Sequence, residues 1–167
     1  MQAQLHQIDE QLVAALVKCT RDGLAMAGLK PVPVGVGKLL QCNAPISSII
    51  GFVGHMSGSM FLNTSEATAC FLAGRMLGET LTVLDAQTLD GLSEITNIIA
   101  GQTKAALSQT QYKFEKISVP SVIVGQNYSI SLYKGMTSVS VTFEVPEMPI
   151  RPGMLSTFSV NMSLMKI

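Results

Sequence analysis

The chain has 167 residues, 47% hydrophobic and only 13% charged, with 11 Lys+Arg against 11 Asp+Glu for a formal net charge of zero. That length suits a single domain, read as spanning residues 1–167, and it can bury roughly 70% of its unfolded surface without a disulfide or metal to hold it. Balanced charge with no cluster of Lys or Arg excludes the attraction that carries most binding to nucleic acid or anionic lipid, so no nucleic acid and no membrane are expected as partners.

In chain order, Leu5, Ile8, Leu12, Leu16 and Cys19 recur at steps of three and four. This spacing predicts a helix over roughly 3–27, ended by Gly28 and Pro31. From Pro33 to Asn63 the pattern changes to strands at 34–42, 46–53 and 59–62, read as an antiparallel meander with Gly54 and Gly58 flanking a tight reversal. Asn63 followed by Glu66 predicts the capped start of a second helix over 65–77, with Gly78 placed to close it in the left-handed conformation. Asp85 is the expected cap of a third helix that no proline interrupts before Leu107, about 22 residues or roughly 33 Å long. Beyond Phe114, β-branched alternation predicts strands at 116–119, 129–133, 137–145 and 155–164, with Pro120, Gly125, Asn127, Gly135, Pro146 and Pro152 supplying the turns. Strands grouped in two blocks point to the α+β class, an antiparallel β-sheet with long helices packed on one face.

Several chemistries are poorly supported. His6 and His55 are the only histidines, one near the start and one at a hairpin, and both read as surface residues rather than metal ligands or members of a Ser-His-Asp set. Gly51, Gly54 and Gly58 lack the strand-loop-helix setting of a phosphate cradle. Cys19, Cys42 and Cys70 are an odd number without C-x-x-C spacing, which suits a reducing cytoplasm, and Cys19 lies on the apolar stripe of the first helix as core packing. The ten methionines read mainly as gap fillers. Asp9 and Glu10 interrupt the first apolar stretch, so it does not resemble a secretion signal. The shortage of charged groups favours a buried subunit interface, hence a homo-oligomer.

The third helix differs from the rest. At 100° per residue, Asp90, Asn97 and Gly101 fall within about 60° of Glu94, while Leu92, Ile95, Ile99 and Ala106 occupy the opposite side and should face the sheet. A carboxylate and a carboxamide therefore stand one turn apart on one stripe. Beyond them, Gly101 and Ala105 would let another backbone come close. By pattern alone the ordinary reading stands ahead, since a polar helix face usually needs only water. The pair nevertheless has a specific capability: Asn97 has no useful basicity but can hold a water through one donor and one acceptor, and Glu94 could grip a Lys or Arg of the same partner.

At these residues the sequence resembles the CheX branch of the CheC, CheX and FliY chemotaxis phosphatases. The resemblance runs through MLGE (Met76 to Glu79), Leu84 and Asp85, the helix segment DGLSEITNIIAGQTKAALS (Asp90 to Ser108) and SVPSVIVG (Ser118 to Gly125), with GFVGHMSGSMFL (Gly51 to Leu62) fitting the central hairpin. The resemblance implies a CheX-like fold and a cytoplasmic phosphatase that hydrolyses the aspartyl phosphate of a CheY-like response regulator. Within the D-x-x-x-E-x-x-N signature it implies that Glu94 contacts the receiver's phosphate-site lysine, that Asn97 places the attacking water in line with phosphorus, and that Asp90 supports them. It implies no metal of the chain's own, because the partner receiver supplies the Mg²⁺. Glu followed by Asn at the third place occurs once, at Glu94 and Asn97, which fits the CheX type and its homodimer joined through sheet edges. Lys104 also matches the pattern, with an equally good reading as a solvated lysine. A non-enzymatic module that binds a receiver domain or flagellar switch component remains an alternative, as does a structural sheet-edge dimer.

Overall fold

The computed structural model describes residues 8–38, 41–42, 44–126, 128–131 and 135–166. Leu5, His6, Asn127 and the end of the expected strand 129–133 lie outside the described residues. The first helix, α1 (Glu10–Ala25), begins at a cap not foreseen from the sequence: Asp9 accepts from Leu12 N at 2.9 Å. A carboxylate that breaks an apolar stretch is also a good N-cap, because it satisfies an amide that the helix cannot. Ile8, expected on the helical stripe, precedes the helix but still packs against the core. Leu12, Leu16, Cys19 and Leu24 form the buried side.

The expected strand 34–42 is two strands in two different sheets, β1 (Val32–Gly37) and β2 (Gln41–Cys42). The hairpin β3 (Ile46–Gly54) and β4 (Met56–Thr64) turns at exposed His55, tighter than expected. Gly58 lies inside β4, where a methyl group would sit 1.9 Å from the Ser163 carbonyl oxygen. Its requirement for glycine is thus close approach to a neighbouring strand rather than a turn.

Helix α2 (Glu66–Leu77) is capped by Ser65, which accepts from Thr68 N at 3.2 Å, and it ends at Gly78 with φ 72°. Asn63, the expected cap, remains in β4 and accepts from the Ser47 hydroxyl at 2.7 Å. Helix α3 (Ala86–Ala106) starts at Asp85 as expected. The chain continues as β5 (Phe114–Ile117), β6 (Ser121–Val124), β7 (Ile130–Ser131), β8 (Thr137–Glu144) and β9 (Thr157–Lys166).

All pairings are antiparallel, in the order β1-β8-β9-β4-β3-β5, with β6 also on β3. The first block is therefore not a meander, because β1 crosses to pair with β8. Strands β5 and β6 behave as one edge strand bent at Ser118–Pro120: Ser118 exchanges two 2.9 Å bonds with Gly51, and Pro120 has no amide to continue the ladder. All three helices pack with one face of the sheet into a core that includes Ile50, Phe52, Met60, Leu62, Val141 and Val160. On the other face, Phe61 is covered by Ala44, Ile49 and Ile130, the last from the small β2-β7 sheet. No helix among the described residues is long and apolar enough to cross a membrane.

Candidate functional site

Helix α3 carries the stripe, and its local chemistry anchors it. Asp85 accepts from Thr88 N at 3.0 Å, while the Thr88 hydroxyl donates to Val83 O at 2.8 Å. On the buried side stand Leu92, Ile95, Ile99 and Ala100 together with Thr96 and Thr103. The two threonine hydroxyls donate to Leu92 O and Ile99 O at 2.9 and 2.8 Å, so the helix buries them without an orphaned donor. Ala106, expected to face the sheet, is exposed. In the last turn the buried line runs through Thr103 and Leu107 instead, and the position at 106 turns outward.

Two glycines let neighbouring helices grip α3 closely. A methyl at Gly91 would come within 2.8 Å of the Ala73 Cβ on α2, and one at Gly23 of α1 would lie 3.2 Å from Ile99. These contacts fall beside Asp90 and Asn97, and they brace the rod at both ends of the signature. Neither glycine was singled out from the sequence. A signal existed for Gly91, because a glycine inside a helix costs about 1 kcal/mol relative to alanine and asks for a packing reason.

The open side of α3 presents Asp90, Glu94 and Asn97, all exposed, followed by half-buried Gly101 and Lys104. The three signature residues fall within about 10 Å along the axis, whereas Lys104 lies about 10 Å beyond Asn97. The structure thus groups Asp90, Glu94 and Asn97 as one patch and leaves Lys104 apart. Among the described residues none of these polar side chains has a hydrogen-bond or ion-pair partner; the one ion pair joins Lys18 and Asp22. A methyl placed on Gly101 would meet nothing within 4 Å, so the surface beside it is open to another molecule.

Burial pushes the thiols of Cys19 and Cys70 above their ordinary range, which keeps both as neutral packing groups rather than nucleophiles. No group of three or more His, Cys, Asp or Glu able to hold a metal ion occurs among the described residues. Chemically the open patch offers two carboxylates, Asp90 and Glu94, able to receive a cation and one amide, Asn97, able to orient a water, all on one packed helix.

Comparison with known proteins places this arrangement in a family context. Residues 46–144, which include the whole of α3, match the family model of the chemotaxis phosphatase CheX. The chain is similar to the crystal structure of a CheX chemotaxis protein from Desulfovibrio desulfuricans, 28% identical, with a TM-score of 0.77 over 93% of this chain and 99% of that one. A putative chemotaxis protein from Desulfovibrio vulgaris Hildenborough is 26% identical, with a TM-score of 0.79 over 95% and 100% of the two chains. Similar too is CheX in a CheX-CheY-BeF3-Mg²⁺ complex from Borrelia burgdorferi, 27% identical, with a TM-score of 0.66 over 95% and 99%. No curated protein matches the chain.

Proposed function

The chain belongs to the CheX family of chemotaxis phosphatases, and on that premise we propose that it hydrolyses the aspartyl phosphate of a CheY-like receiver domain, with Asn97 orienting the water and Glu94 contacting the receiver's lysine. One observation carries the assignment: Glu94 and Asn97 stand one turn apart on the exposed side of α3, with no partner inside the described chain. A side chain already committed to its own fold could not reach into another protein without first losing that bond.

An acyl phosphate is an activated electrophile, so the missing ingredient is a nucleophile held in line rather than a strong base. The amide of Asn97 can accept one hydrogen from a water and donate to its oxygen, leaving a lone pair for phosphorus. The water oxygen bonds to phosphorus as the bond to the aspartyl oxygen breaks, and the receiver's carboxylate is restored. Both water protons leave with the phosphate. Glu94 forms a charge-assisted bond to the receiver's lysine and fixes the approach of α3. Asp90 supports that contact, Gly101 gives the partner's backbone room, and Lys104 lies at its margin. The Mg²⁺ belongs to the receiver; the Borrelia burgdorferi complex of CheX with CheY contains Mg²⁺ and BeF3.

In the same reading the protein acts in the cytoplasm as a single domain and as a homodimer. Support for the dimer comes from β1, an edge strand on which Val32, Val34 and Val36 are 45%, 54% and 49% exposed. An open edge with apolar side chains invites pairing.

The test is the decay of a phosphorylated CheY-like receiver at fixed Mg²⁺, with and without the protein. Faster decay at catalytic amounts is expected; binding without acceleration would leave a receiver-binding module in its place. The Glu94→Ala variant should lose rate mainly through weaker docking, so that raising the receiver concentration restores part of it. A defect that no concentration relieves would contradict the role given to Glu94.

A further inference from the structure

Helix α2, the segment 79–82 and the connection between β8 and β9 line a half-open cavity of about 550 Å³. That volume falls within the range of small-molecule sites. Its walls are held in place from both sides. A methyl at Gly74 would lie 2.7 Å from the Glu79 carbonyl oxygen, and the absence of one lets residues 79–82 fold back along α2, tied by Glu79 N donating to Gly74 O at 2.9 Å. Opposite, the buried Thr68 hydroxyl donates to Leu155 O at 2.9 Å and anchors the β8-β9 connection to the same helix. The cavity is thus built by the fold itself.

Phe71, Leu81, Met148 and Met154 give it an apolar interior, and the methionines can adapt to an occupant's shape. Arg75 and Arg151, two of the chain's three arginines, line it as well. The Arg75 guanidinium lies 6.0 Å from the centre of the Phe71 ring and donates to Gly28 O at 3.3 Å, which orients it and leaves further N–H groups free. Among the described residues no carboxylate pairs with either arginine. The two glutamates that also line the cavity are otherwise explained: Glu79 accepts from the Gln87 amide at 2.7 Å, and Glu66 sits in the first turn of α2, where the helix end favours a negative charge.

We propose that this cavity binds a small amphipathic anion, its apolar body against Phe71 and the methionines and its acidic group taken by Arg75 and Arg151. The site does not overlap the open patch of α3, so the proposal stands whether or not the phosphatase reading does.

The probe is 1-anilinonaphthalene-8-sulfonate, an aromatic body with one sulfonate, titrated into the intact protein and followed by fluorescence and by amide NMR shifts. Saturable binding with shifts confined to 66–82 and 148–154 is expected. Arg151→Glu, on an exposed side chain, should weaken binding about tenfold, whereas Arg21→Glu on α1 should leave it unchanged. N-phenyl-1-naphthylamine, which lacks the sulfonate, should be indifferent to Arg151→Glu. Failure to saturate, shifts spread over the surface, or equal losses in the two arginine variants would each overturn the proposal.

Discussion

The two sides of α3 are built to opposite specifications. Facing the core, Thr88, Thr96 and Thr103 return their hydroxyls to carbonyls of their own helix or its lead-in. Facing outward, Asp90, Glu94 and Asn97 have no partner among the described residues. The contrast shows how one helix divides its labour. The buried threonine hydroxyls are satisfied within the helix, where leaving one unpaired would cost about 1 to 3 kcal/mol, while the exposed groups are kept in water, where they remain available to another molecule. The glycine contacts link the two sides by holding the backbone from which both sets project.

Substitutions can break this contrast in graded ways. The largest effect on stability should come from Leu92→Ala on the closed side: Leu92 is fully buried, and its truncation should cost about 2 to 5 kcal/mol, read as a lower denaturant midpoint. Gly91→Ala should act on the junction. The added methyl meets α2 at 2.8 Å, and overpacking of about 1 to 3 kcal/mol outweighs the roughly 1 kcal/mol gained in helix propensity. A net loss of up to about 2 kcal/mol is expected in chemical denaturation; a stabilised variant would show that α2 and α3 are not in tight contact.

A smaller and pH-dependent effect belongs to Tyr112, whose hydroxyl donates to Asp9 at the start of α1. Burial first, and then the bond to Asp9, push its pKa up from an ordinary 10.0 to about 12. The folded state therefore favours the protonated phenol. Its contribution is fully present below pH 10 and is lost as pH rises from about 10 to 12. Unfolding free energies measured across that window should fall, and Tyr112→Phe should flatten this part of the decline without touching the open patch.

The same contrast explains what could be read from the sequence. Local signals were legible: Asp85 as cap, Gly78 as terminator, and the 100° spacing that gathers Asp90, Glu94 and Asn97 all follow from residues close in sequence. Choosing between competing local signals was harder. Asn63 and Ser65 are both capping types, and only strand pairing decides that Asn63 stays in β4. The division of 34–42 into β1 and β2 depends on pairing with strands roughly 90 to 110 residues away, which periodicity cannot register. Ala106 was misplaced because the buried line leaves the ideal spacing in the last turn. The roles proposed for Glu94 and Asn97 rest on resemblance rather than pattern, since an exposed acid and amide look like any wet helix face.

The most direct test is to measure stability and rate together in Asn97→Ala. The side chain has no bonds to lose among the described residues, so unfolding should shift by no more than about 0.5 kcal/mol. If water placement is its task, the barrier to receiver dephosphorylation should rise by about 2 to 4 kcal/mol, roughly 30- to 1,000-fold in rate. A variant that keeps both its fold and its full dephosphorylation rate would contradict the account.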